Sequence, residues 1–213
     1  MNAQSPEPGE LITAVPRVIL IGGTSHAGKS SVASVLASRP GWVHRSTDHL
    51  ARHPGRPWGE VPPHVAEHYL GLDLDALMAS VLAHYRRLAP DIEVLVNEHA
   101  DNEAALCLVL EGSALLPESI AHHLAHARIA AIWLEVEDDI AASRIRESSD
   151  YGNRDARGRV AIDKFIARTE AFNRVMSKAA RANGLAVVKS SEGIDGVARA
   201  CLSSIAHSGT RRE

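Results

Sequence analysis

Cysteine is nearly missing from this chain: Cys107 and Cys201, far apart in sequence, are the only two in 213 residues. That excludes a disulfide framework and a CxxC-type zinc site, and it makes a reducing cytoplasm the expected compartment. Long apolar runs are missing too. The longest unbroken one covers residues 104–110, far short of the roughly 18–20 residues of a membrane span, so no membrane partner is expected. No secretory leader is read in segment 11–21, because Pro16 and Arg17 interrupt it. Nor is there a basic surplus. Lys and Arg number 23 against 26 Asp and Glu, a formal net charge of −3, which argues against a general nucleic-acid binder. Internal repeats and low-complexity tracts are absent.

What remains is an ordinary globular composition, 45% hydrophobic and 23% charged, enough for one sizeable core. A polar lead-in (residues 1–10), a single domain (11–207) and a short tail (208–213) account for the length. Short aliphatic runs at 17–21, 42–45, 106–110, 129–136 and 185–189 read as strands. Most are continuous rather than alternating, as in a parallel sheet covered on both faces. Helical patterns stand between them at 29–38, 138–146, about 162–176 and 194–206, and an apolar stripe runs from Leu74 to Leu88. Gly184 is placed to end the helix at 162–176. This alternation predicts an α/β fold: three layers around a five-stranded parallel sheet. Segments 52–68 and 148–159 show no clear period, and Pro54, Pro62 and Pro63 discourage helix in the first.

One motif dominates. Gly23, Thr24, Ser25, His26, Ala27, Gly28, Lys29 and Ser30, with Ser31 after them, fit GxxxxGK[ST], between an apolar strand and a helical pattern. Glycines let such a loop curl so that consecutive N–H groups face a phosphate, and the helix N-terminus adds a favourable dipole. Lys29 is expected to neutralise the β- and γ-phosphates and the Ser30 hydroxyl to hold Mg²⁺.

Four further groups fall where a phosphate-loop site needs them. Asp48, in Ser46-Thr47-Asp48, comes after the second strand and is placed to accept the proton of an attacking hydroxyl. Glu111 ends an apolar strand, as a metal-shell carboxylate does. Arg144 and Arg146, and then Arg154, Arg157 and Arg159 across an arginine-rich lid at about 148–160, are candidates to close on the transferred group, with Arg144 and Arg154 as the candidate catalytic cations. Arg45, Arg52 and Arg56, among histidines, mark an acceptor-binding loop at about 49–68, suited to an anionic acceptor. The pairs His49/His53, His64/His68 and His122/His126 are spaced i,i+4, but no third zinc ligand accompanies them.

The GGTSHAGKSS loop, the STD at 46–48 and the EGSALLP segment at 111–117 resemble the small P-loop kinases of the nucleoside-monophosphate-kinase type. Within that group the resemblance is nearest to 2-phosphoglycerate kinase, and the segment DKFIAR at 163–168 adds to it. The likeness spans roughly residues 17–190. It implies an ATP- and Mg²⁺-dependent phosphotransferase, with Lys29 and Ser30 as nucleotide and Mg²⁺ ligands, Asp48 facing the acceptor hydroxyl and Glu111 in the metal shell. Ala114 stands where the family's EG-x-x-L-x-P element usually has a histidine. A hydrolytic switch or nucleotide-binding regulator remains the alternative. Nucleotides, sugar nucleotides and antibiotics remain alternative acceptors, and a monomer and a homodimer are equally compatible with the chain.

Overall fold

Five runs of β-branched and aliphatic residues become five strands: β1 (Val18–Gly23), β2 (Trp42–Ser46), β3 (Cys107–Glu111), β4 (Ile129–Glu135) and β5 (Ala186–Lys189). They form one wholly parallel sheet in the order β2-β3-β1-β4-β5. The computed structural model describes residues 16–51, 55–59 and 62–210. The helices are α1 (Lys29–Leu36), α2 (Pro63–Gly71), α3 (Leu74–Asp101), α4 (Pro117–Ile120), α5 (Asp138–Ser148), α6 (Ala156–Ala182) and α7 (Ile194–Thr210). The three-layer arrangement expected from the alternating pattern is therefore present.

Strand alternation divides the core. Val18, Leu20, Leu108, Leu110 and Trp133 face α3 and α6, where Val81, Leu88, Ile92, Phe172 and Met176 meet them. Ile19, Ile21, Val109, Ile132 and Leu134 face the other way, onto Val32 and Leu36 of α1 and Val197 and Cys201 of α7. A third cluster lies above the sheet's carboxyl edge, where Val65 and Tyr69 of α2 and Ile145 of α5 pack on Ile162 and Phe165 of α6.

Register positions the site. Ile21 and Ser46 both pair with Glu111, so β2 and β3 end at one level and β1 runs two residues past it, to Gly23. The phosphate loop, Ser46-Thr47-Asp48 and Glu111 converge there.

Two segments differ from expectation. Residues 63–68 are helical, because Pro63 occupies the first position of α2, where its missing N–H costs nothing. The acceptor loop is correspondingly shorter. Residues 157–159 of the expected lid likewise belong to α6, whose cap Asp155 accepts a hydrogen bond from the Gly158 N–H at 2.6 Å. Only residues 149–155 connect α5 to α6, and they include a 3₁₀ turn, Tyr151–Asn153. α3 continues through Pro90 well beyond the apolar stripe. Arg52, the lead-in at 1–10 and the end of the tail lie outside the described residues.

Candidate active site

The chain leaves β1 at Gly23, curls through residues 24–28 and enters α1 at Lys29. Gly28 makes the turn possible: it has φ +85°, a left-handed conformation that side chains resist. No side chain caps α1, so its first amides are available to an anion. The loop is braced from two sides. Thr24 Oγ1 donates to the Thr169 carbonyl of α6 at 3.2 Å, and Arg144 of α5 donates to the His26 carbonyl at 2.9 Å.

Lys29 is buried beneath this loop. Its Nζ donates to the Thr24 carbonyl at 2.7 Å and to Ser113 Oγ at 3.3 Å. Burial pushes its pKa below the ordinary lysine value; the Glu111 and Asp48 carboxylates oppose that shift and Arg56 adds to it. Burial thus outweighs the carboxylates in the shift, and an anion in the cleft would restore stabilisation to the ammonium.

Ser30 Oγ donates to Glu111 Oε1 at 3.0 Å. Glu111 is 3% exposed, and His44 Nε2 lies 3.8 Å from the same oxygen. A hydroxyl beside a carboxylate fits one edge of a hard cation that keeps most of its shell as water and phosphate oxygen, as Mg²⁺ does. Among the described residues no group of three or more His, Cys, Asp and Glu is arranged to hold a metal by itself; His53 of the first histidine pair lies outside those residues.

Asp48 stands on a 3₁₀ turn, Thr47–His49, where Ser46 Oγ accepts from the Asp48 N–H at 3.3 Å. The cap is thus Ser46, and the Asp48 carboxylate lines the cleft. Gly112 allows the turn to sit so close to β3: a Cβ at that position would collide with the Thr47 side chain.

The cleft encloses about 210 Å³ between the phosphate loop, Asp48, Arg56, Tyr85, Glu111, Ser113, Phe165 and Arg168. Sequence reasoning did not select the last two, nor Tyr85. Arg168 is 5% exposed and pairs with no carboxylate among the described residues. Its guanidinium lies 4.5 Å from the Phe165 ring centroid and donates to Tyr69 Oη at 3.0 Å. Tyr69 Oη in turn donates to the Gly55 carbonyl at 3.2 Å. The DKFIAR segment at 163–168 contains both Phe165 and Arg168, but as part of a resemblance and not as site residues, and their i,i+3 spacing is one that core helices share.

Other candidates fall elsewhere. Arg144 lies behind the phosphate loop, beside a second hollow of about 300 Å³ bounded by Gly28, Val32, Ser190 and Ile194. Arg154 donates to the Ser149 carbonyl at 2.7 Å and lines a surface hollow with Pro57 and Leu70. Arg45 is exposed on the edge strand β2. Of the two predicted acceptor-loop arginines among the described residues, Arg45 and Arg56, the second is placed on the cleft.

No family model matches the chain, and no curated protein does. Among solved structures it is similar to a shikimate kinase from Aquifex aeolicus vf5, at 15% identity over 89% of this chain and 96% of that one, with a TM-score of 0.52. A gluconokinase from Sinorhizobium meliloti 1021 matches at 17% identity over 92% and 95%, TM-score 0.45. A deoxyadenosine kinase from M. mycoides with bound dATP matches at 12% over 89% and 98%, TM-score 0.49. The likeness to the shikimate kinase shows the fold: a five-stranded parallel α/β sheet flanked by helices on both faces.

Proposed function

We propose that this protein is an ATP- and Mg²⁺-dependent phosphotransferase that moves the γ-phosphoryl group to a hydroxyl of a small anionic metabolite, with a 2-phosphoglycerate-like acceptor as the best fit. The observation that carries it is the convergence of Lys29, the Ser30–Glu111 pair, Asp48 and Arg168 on one small cleft. A pure nucleotide binder has no need of a carboxylate opposite the phosphates or of a buried arginine beyond it.

The triphosphate would lie along the uncapped start of α1, with the nucleoside in the hollow beside Arg144. Lys29 would exchange its Thr24 and Ser113 partners for phosphate oxygens. Mg²⁺, held through Ser30 and Glu111, would neutralise charge on the β- and γ-phosphates. Asp48 orients the acceptor hydroxyl in line and takes its proton late, since phosphoryl transfer passes through a loose transition state in which positioning and charge dominate. Arg168 and Arg56 hold the acceptor's anionic group, and the aromatic walls of Phe165 and Tyr69 fix the direction of the planar Arg168 fork and desolvate it.

The test is ADP release from Mg·ATP against phosphorylated glycerates, hydroxy acids, nucleosides and their monophosphates, sugar nucleotides and hydroxylated antibiotics. An anionic acceptor should stimulate release. Asp48→Asn should lower turnover by about 10²–10⁴-fold, the scale of general-base catalysis, with nucleotide affinity retained. Arg168→Met should raise the acceptor KM roughly 10- to 100-fold, the scale of lost charge-assisted hydrogen bonds. A fast rate indifferent to every acceptor would make the protein a hydrolytic switch instead.

A further inference from the structure

The imidazole of His26 joins four elements, and phosphoryl transfer through Lys29, Asp48 and Arg168 makes no use of it. His26 has φ +60°, and Asp150 is the other non-glycine residue with positive φ among the described residues. Such a conformation persists only where its surroundings enforce it, and it is common at functional sites. The surroundings here are specific. Arg144 holds the His26 carbonyl. Nδ1 and Ser25 Oγ are 3.0 Å apart, and Nε2 and Ser148 Oγ, at the end of α5, are also 3.0 Å apart. The ring faces Trp58 at 5.9 Å between centroids and Phe165 of α6 at 6.5 Å, while Trp58 and Phe165 meet edge-on at 4.9 Å.

Trp58 belongs to the segment that carries Arg56 into the cleft. The Arg56 guanidinium lies 5.9 Å from the Trp58 ring centroid, and Tyr69 ties down the Gly55 carbonyl just before it. The phosphate loop therefore touches the Arg56 segment through the His26 ring, with His26 against Trp58 and Trp58 beneath Arg56. Loop backbone that is ordered by bound phosphates would present a fixed ring to Trp58; a loop free to shift would not.

Resting on the kinase reading, we propose that His26 is a positioning residue that couples the nucleotide and acceptor sites by docking Trp58, so that phosphate bound in the loop immobilises segment 55–59 and aims Arg56 at the acceptor. Coupling between sites is reciprocal, so an acceptor that orders this segment also tightens nucleotide binding.

The test is hydrogen exchange of segment 55–59 in the full chain, with and without Mg²⁺ and a non-hydrolysable ATP analogue at saturation. The wild type should show slower exchange when nucleotide is bound, within the roughly 5- to 150-fold range of ordinary coupling. His26→Gly and His26→Asn both tolerate a left-handed backbone, and the second keeps a hydrogen-bonding group while removing the aromatic ring. Both should lose the nucleotide-dependent slowing, at saturation and whatever their own affinity. Trp58→Ala should lower segment protection without nucleotide and make it insensitive to nucleotide, and it carries the test if either His26 variant fails to fold. Wild-type slowing in a folded His26 variant, or its absence in the wild type with nucleotide bound, overturns the coupling and leaves the kinase reading standing. Failure of the wild type to bind the analogue, measured by calorimetry, overturns the nucleotide reading and the coupling with it.

Discussion

A histidine at φ +60° inside a phosphate loop has a cost in acid as well as in backbone conformation. Burial, then Arg56, Lys29 and Arg144, push the His26 pKa down to about 4 from the ordinary 6.5. The folded state thus favours the neutral ring. Above pH 6.5 the ring is neutral in both folded and unfolded chains and contributes nothing. As pH falls from 6.5 towards 4, the unfolded chain takes up a proton that the folded one resists, so stability is lost across that window and the loss levels off below it. His68, His84 and His123 are shifted down by burial as well, so the informative quantity is a difference. Urea unfolding between about pH 7 and pH 4 should show a shallower decline for His26→Asn than for the wild type. Parallel declines would mean that the ring is not held neutral by its surroundings.

At the scale of elements, α6 does more than fill the core. It presents Arg168 and Phe165 to the cleft, offers the Thr169 carbonyl to Thr24, and reaches β4's end through Asn173 Nδ2, which donates to the Val136 carbonyl at 2.7 Å. Its 27 residues begin at a capped N-terminus. Asp155→Ala removes that cap and should cost about 1 kcal/mol, read as a lower urea midpoint at unchanged slope. The helix was legible from its apolar period after residue 162. Its first turn was not, because Arg157, Gly158 and Arg159 look like loop composition and only the Asp155–Gly158 hydrogen bond shows that the turn closes. The same holds for α2. Proline argues against helix in general, and its tolerance at the first position depends on whether the residues after it can continue the helix.

At the scale of the whole molecule, the two hollows beside the loop at 24–28 draw their walls from α1, α3, β3, α5, α6 and the β5–α7 connection. Ligand binding should therefore stabilise the fold globally rather than locally. Mg·ADP at about 100 times its Kd should add about 2.7 kcal/mol, a rise in Tm of roughly 5–10 °C for a chain of this size. On the proposed reading the buried Lys29 ammonium is the main charge offered to the phosphates, so Lys29→Met should abolish most of that rise. A wild-type-sized shift in the Lys29 variant would place nucleotide outside this loop.

Local sequence determined the five strands, most helices and the phosphate loop, because each rests on interactions between near neighbours: alternating or continuous apolar runs, the spacing of Gly23, Gly28, Lys29 and Ser30, and the polar ends of strands. Asp48 and Glu111 were legible for the same reason, since a parallel sheet brings its carboxyl ends to one edge. Tertiary structure alone decided which arginine faces the cleft. Arg144, Arg154 and Arg45 look like site residues by composition, yet one braces the loop, one caps a turn and one faces solvent on an edge strand. Arg168 looks like a surface residue on a long helix, yet the packing of α2 against α6 buries it between Phe165 and Tyr69. A charged side chain's surroundings are set by elements distant in sequence, and no periodicity along its own helix records them.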